Sequence, residues 1–300
     1  MKSIDYVIII NTASKGVTSG LVQQIQSLIA ARPMRQVSSR VLLTSGSDMN
    51  KVLRQARTHR PKYIIACGGD GTVRAVAEYA INQNCIMGVI PAGTLNHFAR
   101  SMHLPQNIDS AVSLLFQSHK IVQLDVGTVN GKVFINNSSV GMYSKLVKKR
   151  ERWQQKYPKS VALVLAAVWQ LFHIKKMHYI VRSDFFDADG KFSLIFIGNG
   201  DYIFKKGAFR RTANIHSTLS VYMFGGSNVY QMVRSLIHLV FGKKYAKKAF
   251  LRKSVDTISL HTSKQSVSVA LDGEVVSLAT PLNYSVRTNA LSVITPKKGQ

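Results

Sequence analysis

Two glycine loops constrain this chain more than any other feature. Ile64 to Thr72 reads IIACGGDGT, and Ile90 to Arg100 reads IPAGTLNHFAR. Each is a short apolar run that breaks into a polar glycine loop and then a helix-like pattern, as when a parallel strand presents its C-terminal edge to a ligand. In the first loop, Gly68, Gly69 and Gly71 are expected to take positive φ and bring backbone N–H groups close to an anion with no Cβ in the way. Thr72 is expected where a helix begins, its hydroxyl capping that helix while the free N–H groups of the turn face the same anion. Asp70 adds a condition, because a carboxylate aimed at polyphosphate is repulsive unless a divalent cation lies between them. The loop therefore asks for a Mg2+-nucleotide rather than free phosphate. In the second loop, Gly93, Thr94, Asn96 and the apolar Phe98 repeat the strand, glycine turn and polar cap. A tight turn that happens to contain an aspartate is the alternative for one loop alone. The repetition at the next predicted strand weighs against it.

Composition agrees with an enzyme built on real cores. Three hundred residues with 46% apolar content allow two domains. The longest uninterrupted apolar run, Val161 to Trp169, is nine residues, against roughly 18 to 20 for a bilayer span, so no membrane span is expected. The opening MKSIDYVIII reads as a first strand rather than a signal peptide, since Asp5 interrupts its approach. Cys67 and Cys85 lack metal-ligand spacing and read as buried thiols in a reducing cytoplasm. The charge is extreme: net +26 from 40 basic and 14 acidic residues, with +7 on residues 1 to 125 and +19 on 126 to 300. Such a field attracts nucleic acid or an anionic membrane, where each basic residue near the surface is worth about 1 kcal/mol. Charge alone does not choose between them.

Along the chain, strands at Tyr6–Ile10, Val37–Leu43 and Tyr63–Ala66 alternate with helices at about 18–31 and 48–59. A further helix is expected at 109–117. From Ile121 the rhythm changes to strand and turn, which puts a domain boundary near residue 128. Strands are expected again at Tyr179–Arg182, Phe192–Ile197, Leu219–Phe224 and Ser266–Ala270, a helix at about 229–240, and two short strands in the tail from Asn283 to Thr295. The most basic stretch, Lys145 to Lys159, and a second cationic run at Lys243–Lys248 carry aromatics nearby, including Trp153, Tyr157 and Trp169. That mixture suits a membrane interface; a solvated face of a packed helix pair is the alternative. Leu271-Asp-Gly-Glu274 holds two of the few acids in one turn, where an Asp-Gly hairpin turn is the simplest alternative. Gly273 is expected to bend the chain and separate the roles of Asp272 and Glu274.

GGDGT followed by P-x-G-T-x-N-x-F-A-R resembles the diacylglycerol kinase catalytic domain, shared by bacterial lipid kinases, sphingosine kinases and ceramide kinases. The resemblance implies an α/β nucleotide-binding domain with a parallel sheet and a mainly antiparallel β second domain, the two-domain plan also found in NAD kinases. It places the first domain at 1–128, rejoined by the tail 284–300, and the basic acceptor domain at 129–283. Phe134 to Gly141 matches the family's F-x-N-x-x-S-x-G. The family's N-P-x-S-G is partly kept: Asn11 and Ser14 remain, with Thr12 for the proline and Lys15 before Gly16. It implies that Asn11, Ser14, Lys15 and Thr44 meet nucleotide; an ordinary strand-helix turn with a solvated lysine, and a plain loop after Thr44, are the alternatives. The resemblance places the general base in the L-D-G-E turn, here Glu274 with Asp272 supporting, the reverse staying open. Departures are Arg74-Ala75 for Asn-Glu, His97 for Asp, and Ile215-His-Ser217 with Ser220 where several relatives hold a structural Mg2+ with acids. The auxiliary metal site is expected to be lost or replaced by hydrogen bonds.

The expectation is phosphoryl transfer from ATP, with Mg2+ held partly by Asp70, to a lipid hydroxyl in the cleft between the domains. The expected partners are a lipid substrate and an anionic membrane, met peripherally from the cytoplasmic side; a homodimer is left open, and no motif supports specific nucleic-acid binding. An NAD kinase-like enzyme acting on a soluble acceptor, and a catalytically degenerate membrane binder, are the competing readings.

Overall fold

The computed structural model describes residues 4–14, 16–30, 38–94, 96–116, 119–141, 153, 176–200, 202–205, 208–211, 217–225 and 250–297. The chain divides into two compact units, residues 1–125 with 288–300, and residues 126–287. Lys15, most of the basic stretch 145–159, the apolar run from 161, Ile215, the expected helix at 229–240 and the run at 243–248 lie outside the described residues.

The first unit alternates strand and helix: β1 Tyr6–Asn11, α1 Ser19–Ala30, β2 Ser39–Thr44, α2 Met49–Thr58, β3 Tyr63–Gly68, α3 Asp70–Gln83, β4 Ile86–Pro91, α4 His97–Ser101 and α5 Ile108–Phe116. β1, β3 and β4 are runs of Ile, Val and Ala buried along nearly their whole length, the pattern of parallel strands covered on both faces. They pair in the parallel order β2-β1-β3-β4. The chain leaves β1 toward β2 and returns to build β3 on the other side, so the topological switch falls between β1 and β3. In open α/β sheets ligands bind outside the strand ends at that point. The core beneath includes Ile8, Ile10, Ile25, Ile65, Cys67, Ile90, Val112 and Leu115.

The second unit is strand-rich, and the strands that enter and leave it begin (120–125) and end (288–295) in the first unit. β5 Lys120–Val129 and β6 Lys132–Phe134 form a hairpin, followed by β7 Asn137–Gly141, β8 Met177–Ser183, β9 Asp187–Phe192, β10 Leu194–Asn199, β11 Tyr202–Lys205, β12 Ala208–Arg211, β13 Leu219–Phe224, β14 Phe250–Val255, β15 Thr257–His261, β16 Ser266–Leu271, β17 Glu274–Ala279 and β18 Leu282–Thr295. An antiparallel sheet runs β14-β13-β10-β7-β16-β17. Its inward residues Val140, Ile195, Ile197, Val221, Val269 and Leu271 join Phe134, Tyr179, Leu260 and Tyr284 in one core. Inside it the hydroxyls of Ser138 and Tyr284 are 3.1 Å apart, and burial raises the Tyr284 phenol above its ordinary range.

Two sequence expectations fail here. The tail is one fourteen-residue strand rather than two short ones. Asn289, at φ +51, looks like a break in the sequence, but its N–H donates to Asp125 Oδ1 at 2.7 Å and the strand continues. The expected strand Phe192–Ile197 is two strands, β9 and β10, that meet at Ser193, whose N–H and hydroxyl both donate to the Phe224 carbonyl.

Candidate functional site

Three loops meet at the C-terminal ends of β1, β3 and β4. After β1, Asn11 turns its side chain onto the first helical turn of α3, with Nδ2 donating to Thr72 Oγ1 at 2.9 Å. Its Oδ1 accepts the Ala13 N–H at 3.0 Å, which folds the loop back on itself. Ser14 N–H donates to the Asn11 carbonyl at 3.0 Å, and Gly16 N–H to the Ala92 carbonyl at 3.1 Å. A Cβ on Gly16 would lie 2.6 Å from that carbonyl oxygen. The loop after β1 is thereby tied to the loop after β4.

The glycines of the loop after β3 act differently from expectation. Gly68, Gly69 and Gly71 do not belong to the residues with positive φ; Gly69 is extended, at φ −89 and ψ −175, and serves as N-cap of α3. What demands glycine is closeness. A Cβ on Gly93 would stand 2.4 Å from Gly69 Cα, and one on Gly68 would stand 2.6 Å from Thr72 Oγ1 and 3.1 Å from Ser14 Oγ. Two backbones touch where side chains would hold them apart. Thr72 is also not the cap: α3 begins at Asp70, so Thr72 is the third residue of its first turn, buried, with its hydroxyl accepting from Asn11. The helix starts earlier because Gly69 itself makes the turn.

Asp70 opens α3 and reaches across to the third loop, where its Oδ1 accepts the Phe98 N–H at 3.3 Å. Phe98 is the second residue of α4 and is fully buried. Asn96, in the left-handed region at φ 49 and ψ 46, precedes α4 but gives it no side-chain cap; its Oδ1 turns back to accept the Gly93 N–H at 2.9 Å. Thr94 and His97 are exposed at the rim. The arrangement leaves the first N–H groups of α3 without an intrahelical partner, at the positive end of its dipole and beside the close approach of Gly69 and Gly93. Such a helix start can cradle an anion. Cys67 lies under it, and burial pushes its thiol up to about 12, so it holds no thiolate there. Thr44 ends β2 buried, its hydroxyl accepting the Gly46 N–H at 3.2 Å and its carbonyl the Thr12 N–H at 2.8 Å. Its visible work is to hold loops.

The other two candidate acids, Asp272 and Glu274, lie in the second unit. β16 and β17 form a hairpin in which Leu271 faces Glu274 and Asp272-Gly273 make a two-residue turn, both at positive φ. Asp272 Oδ2 accepts the Ile135 N–H at 2.8 Å, and Oδ1 accepts those of Asn136 at 2.8 Å and Asn137 at 3.0 Å. Glu274 opens β17 and is exposed. Gly273 thus separates two carboxylates into different surroundings. The same 135–137 segment is held from its other side by Asn199, which is 1% exposed: Nδ2 donates to the Ile135 carbonyl at 3.1 Å and its N–H to that of Asn136 at 2.9 Å. Sequence reasoning missed Asn199; its one signal was an asparagine ending the apolar run of β10. In the stretch compared with a structural metal site, Ser217 to Ser220 are described, and Ser220 is fully buried in β13. Among the described residues no three His, Cys, Asp or Glu gather as a metal site.

Comparison with known proteins places this geometry. Residues 5–129 match the model of the diacylglycerol kinase catalytic domain. A Pseudomonas aeruginosa protein named probable lipid kinase YegS-like is 26% identical over 279 residues, covering 91% of this chain and 90% of its own length. A Staphylococcus carnosus diacylglycerol kinase is 40% identical over 82 residues, 26% of either chain. The crystal structure of a diacylglycerol kinase from Bacillus anthracis covers 98% of both chains with a TM-score of 0.67 at 21% identity, and so shares the fold. The two glycine loops and the parallel sheet that carries them fall inside the matched residues 5–129, and with the separate antiparallel sheet the chain resembles the diacylglycerol kinase family.

Proposed function

We propose that this chain transfers the γ-phosphoryl group of ATP to the hydroxyl of a lipid, diacylglycerol or a related one, at the cytoplasmic face of a membrane. The observation that carries the reading is the close approach of Gly69 and Gly93, where neither could carry a side chain without displacing the other, at the N-terminus of α3. Oriented N–H groups suit a polyphosphate, and catalysis of this kind is mostly positioning and electrostatics. Asn11, Ser14, Gly68 and Thr72 hold the cradle's shape, and Gly69, Gly71, Gly93, Thr94 and Asn96 line it for the nucleotide. Lys15, which follows Ser14 in sequence, would add a cation, and Thr44 supports the loop after β1. Among the described residues Asp70 is the one carboxylate at the cradle; its Oδ1 is taken by Phe98 N–H, and no donor to Oδ2 is seen among them. Asp70 would share a Mg2+ ion with the phosphates, and that ion supplies neutralisation of their charge.

Glu274 is the acceptor of the proton. The hydroxyl oxygen bonds to the γ-phosphorus, the bond from that phosphorus to the bridging oxygen breaks with its electron pair leaving on ADP, and the hydroxyl proton passes to the Glu274 carboxylate. Asp272 is poorly suited to that task, because three N–H groups already occupy its oxygens. It supports the turn instead.

The test is transfer of labelled γ-phosphate from Mg-ATP into organic-extractable product, with diacylglycerol, monoacylglycerol, ceramide or sphingosine in mixed micelles and NAD as a soluble control. Label in one lipid is the expected result and names the substrate class. Label in NAD alone would replace the reading with a soluble-acceptor kinase; none anywhere would leave a protein that binds without catalysis.

A further inference from the structure

Three cations of the first unit share one helix, α2. α2 reads MNKVLRQART and contains no acid. Met49, Val52 and Ala56 are its buried positions, while Lys51, Arg54 and Arg57 are exposed. Three-residue steps at 100° each put these three cations on a stripe opposite the buried face. Beyond the helix, exposed Arg60 and Lys62 extend the run to five cations in twelve residues, with no acid between Lys51 and Lys62. The ion pairs seen among the described residues, Arg74 with Glu78, His178 with Asp189 and Arg182 with Asp187, use none of them. Lys62 lies over the Tyr63 ring at 5.5 Å, and the acid before the helix, Asp48, takes the Ser45 hydroxyl at 2.9 Å.

This placement works against the helix's own stability. Like charges three residues apart repel. Lys51 sits in the first turn, at the positive end of the dipole, where an acid would be favourable. Arg60 follows the C-cap His59 at φ +45, a conformation that glycine or asparagine takes without the Cβ penalty. The dipole accounts for Arg57 and Arg60 near the C-terminal end; it does not account for Lys51 or Arg54. A local rule broken repeatedly in favour of exposed cations marks a surface kept for a partner.

We propose that the outer face of α2, formed by Lys51, Arg54 and Arg57 and continued by Arg60 and Lys62, docks the protein onto an anionic phospholipid surface. The proposal rests on the lipid-acceptor reading above: a water-insoluble acceptor is met at a bilayer interface, and no helix among the described residues is long and apolar enough to cross one. Contact then depends on surface charge. Nucleic acid would be drawn by the same field, and the experiment separates the two.

The full chain and Lys51→Gln/Arg54→Gln/Arg57→Gln are compared by co-sedimentation with vesicles of phosphatidylcholine alone, or mixed with phosphatidylglycerol, at low and high salt, and with duplex DNA. Glutamine keeps the helix propensity, and a thermal melt checks the fold. Wild type is expected to bind the phosphatidylglycerol vesicles and to weaken with salt. The triple variant is expected to bind them about 100-fold more weakly, roughly fivefold per cation. The charge-keeping Lys51→Arg/Arg54→Lys/Arg57→Lys is expected to bind as wild type. Phosphate transfer in detergent micelles should stay within about twofold in both variants, since these residues lie outside the cradle. Undiminished vesicle binding by the glutamine variant, equal weakness in the charge-keeping one, or wild type that binds duplex DNA and ignores phosphatidylglycerol would each overturn the proposal. A wild type inactive in micelles, yet bound to vesicles through these cations, would support the docking face while ending the kinase reading.

Discussion

The dipeptide Asp-Gly occurs at both chemically marked turns of this chain, and the two copies do opposite things. Asp70-Gly71 opens a helix with neither residue at positive φ, and its carboxylate takes one N–H from the neighbouring α4. Asp272-Gly273 is a hairpin turn with both residues at positive φ, and its carboxylate takes three N–H groups from a single segment. In the first, glycine neighbours let two backbones touch and leave helix N–H groups open to a ligand. In the second, three N–H groups already occupy the aspartate's oxygens, and for that reason the proposed mechanism gives the proton to Glu274. Which role an aspartate plays follows from how many of its lone pairs the fold has already used.

The contrast can be broken by substitution. Asp70→Asn keeps an oxygen for Phe98 N–H but removes the charge, so turnover should fall about 1,000-fold with the melting temperature unchanged; wild-type rates would take Asp70 out of the chemistry. Gly93→Ala forces a Cβ onto Gly69 Cα, and the displaced cradle should lose about 100-fold in activity. A Gly93→Ala enzyme with normal ATP kinetics would show that the close approach is incidental. Asp272→Ala strands three backbone donors and should lower unfolding free energy by about 3 kcal/mol in a denaturant titration, more than Asp70→Ala, which loses one bond and about 1 kcal/mol. Equal losses would erase the difference between the turns. The smallest effect is on pH. Burial raises the phenols of Tyr6, Tyr79 and Tyr179 to about 12. The unfolded chain ionises first, so the stability they contribute is full below about pH 10 and should drain away as pH rises toward 12. Urea midpoints at pH 8, where no loss is expected, and pH 11 would check the sign.

Much of this was legible in the sequence, and the failures have physical causes. β1, β3 and β4 showed as dense apolar runs because both their faces are buried, and the two-sheet fold class follows from the change of rhythm after Ile121. The loops GGDGT and PAGTLN were found, but not what their glycines do: contact between Gly69 and Gly93, twenty-four positions apart, is a tertiary fact no local pattern carries. Thr72 was taken as a cap because threonine before an apolar run is a cap signal, yet Gly69 had already made the turn. β9, DADGKF, was missed because an exposed strand of that composition imitates a loop. At the L-D-G-E turn the hairpin was read as the bland alternative to function, and the hairpin is there. The three N–H groups on Asp272 come from residues more than 130 positions away, and only the folded chain brings them to it.

The most direct test of the division between the two carboxylates is kcat for phosphate transfer in mixed micelles by Glu274→Gln, with its melting temperature and its KM for ATP measured alongside. A loss of about 100- to 10,000-fold in kcat, with a native melt and unchanged KM, is the predicted result. Wild-type kcat in Glu274→Gln, together with an inactive but equally stable Asp272→Asn, would contradict it and move the proton to Asp272.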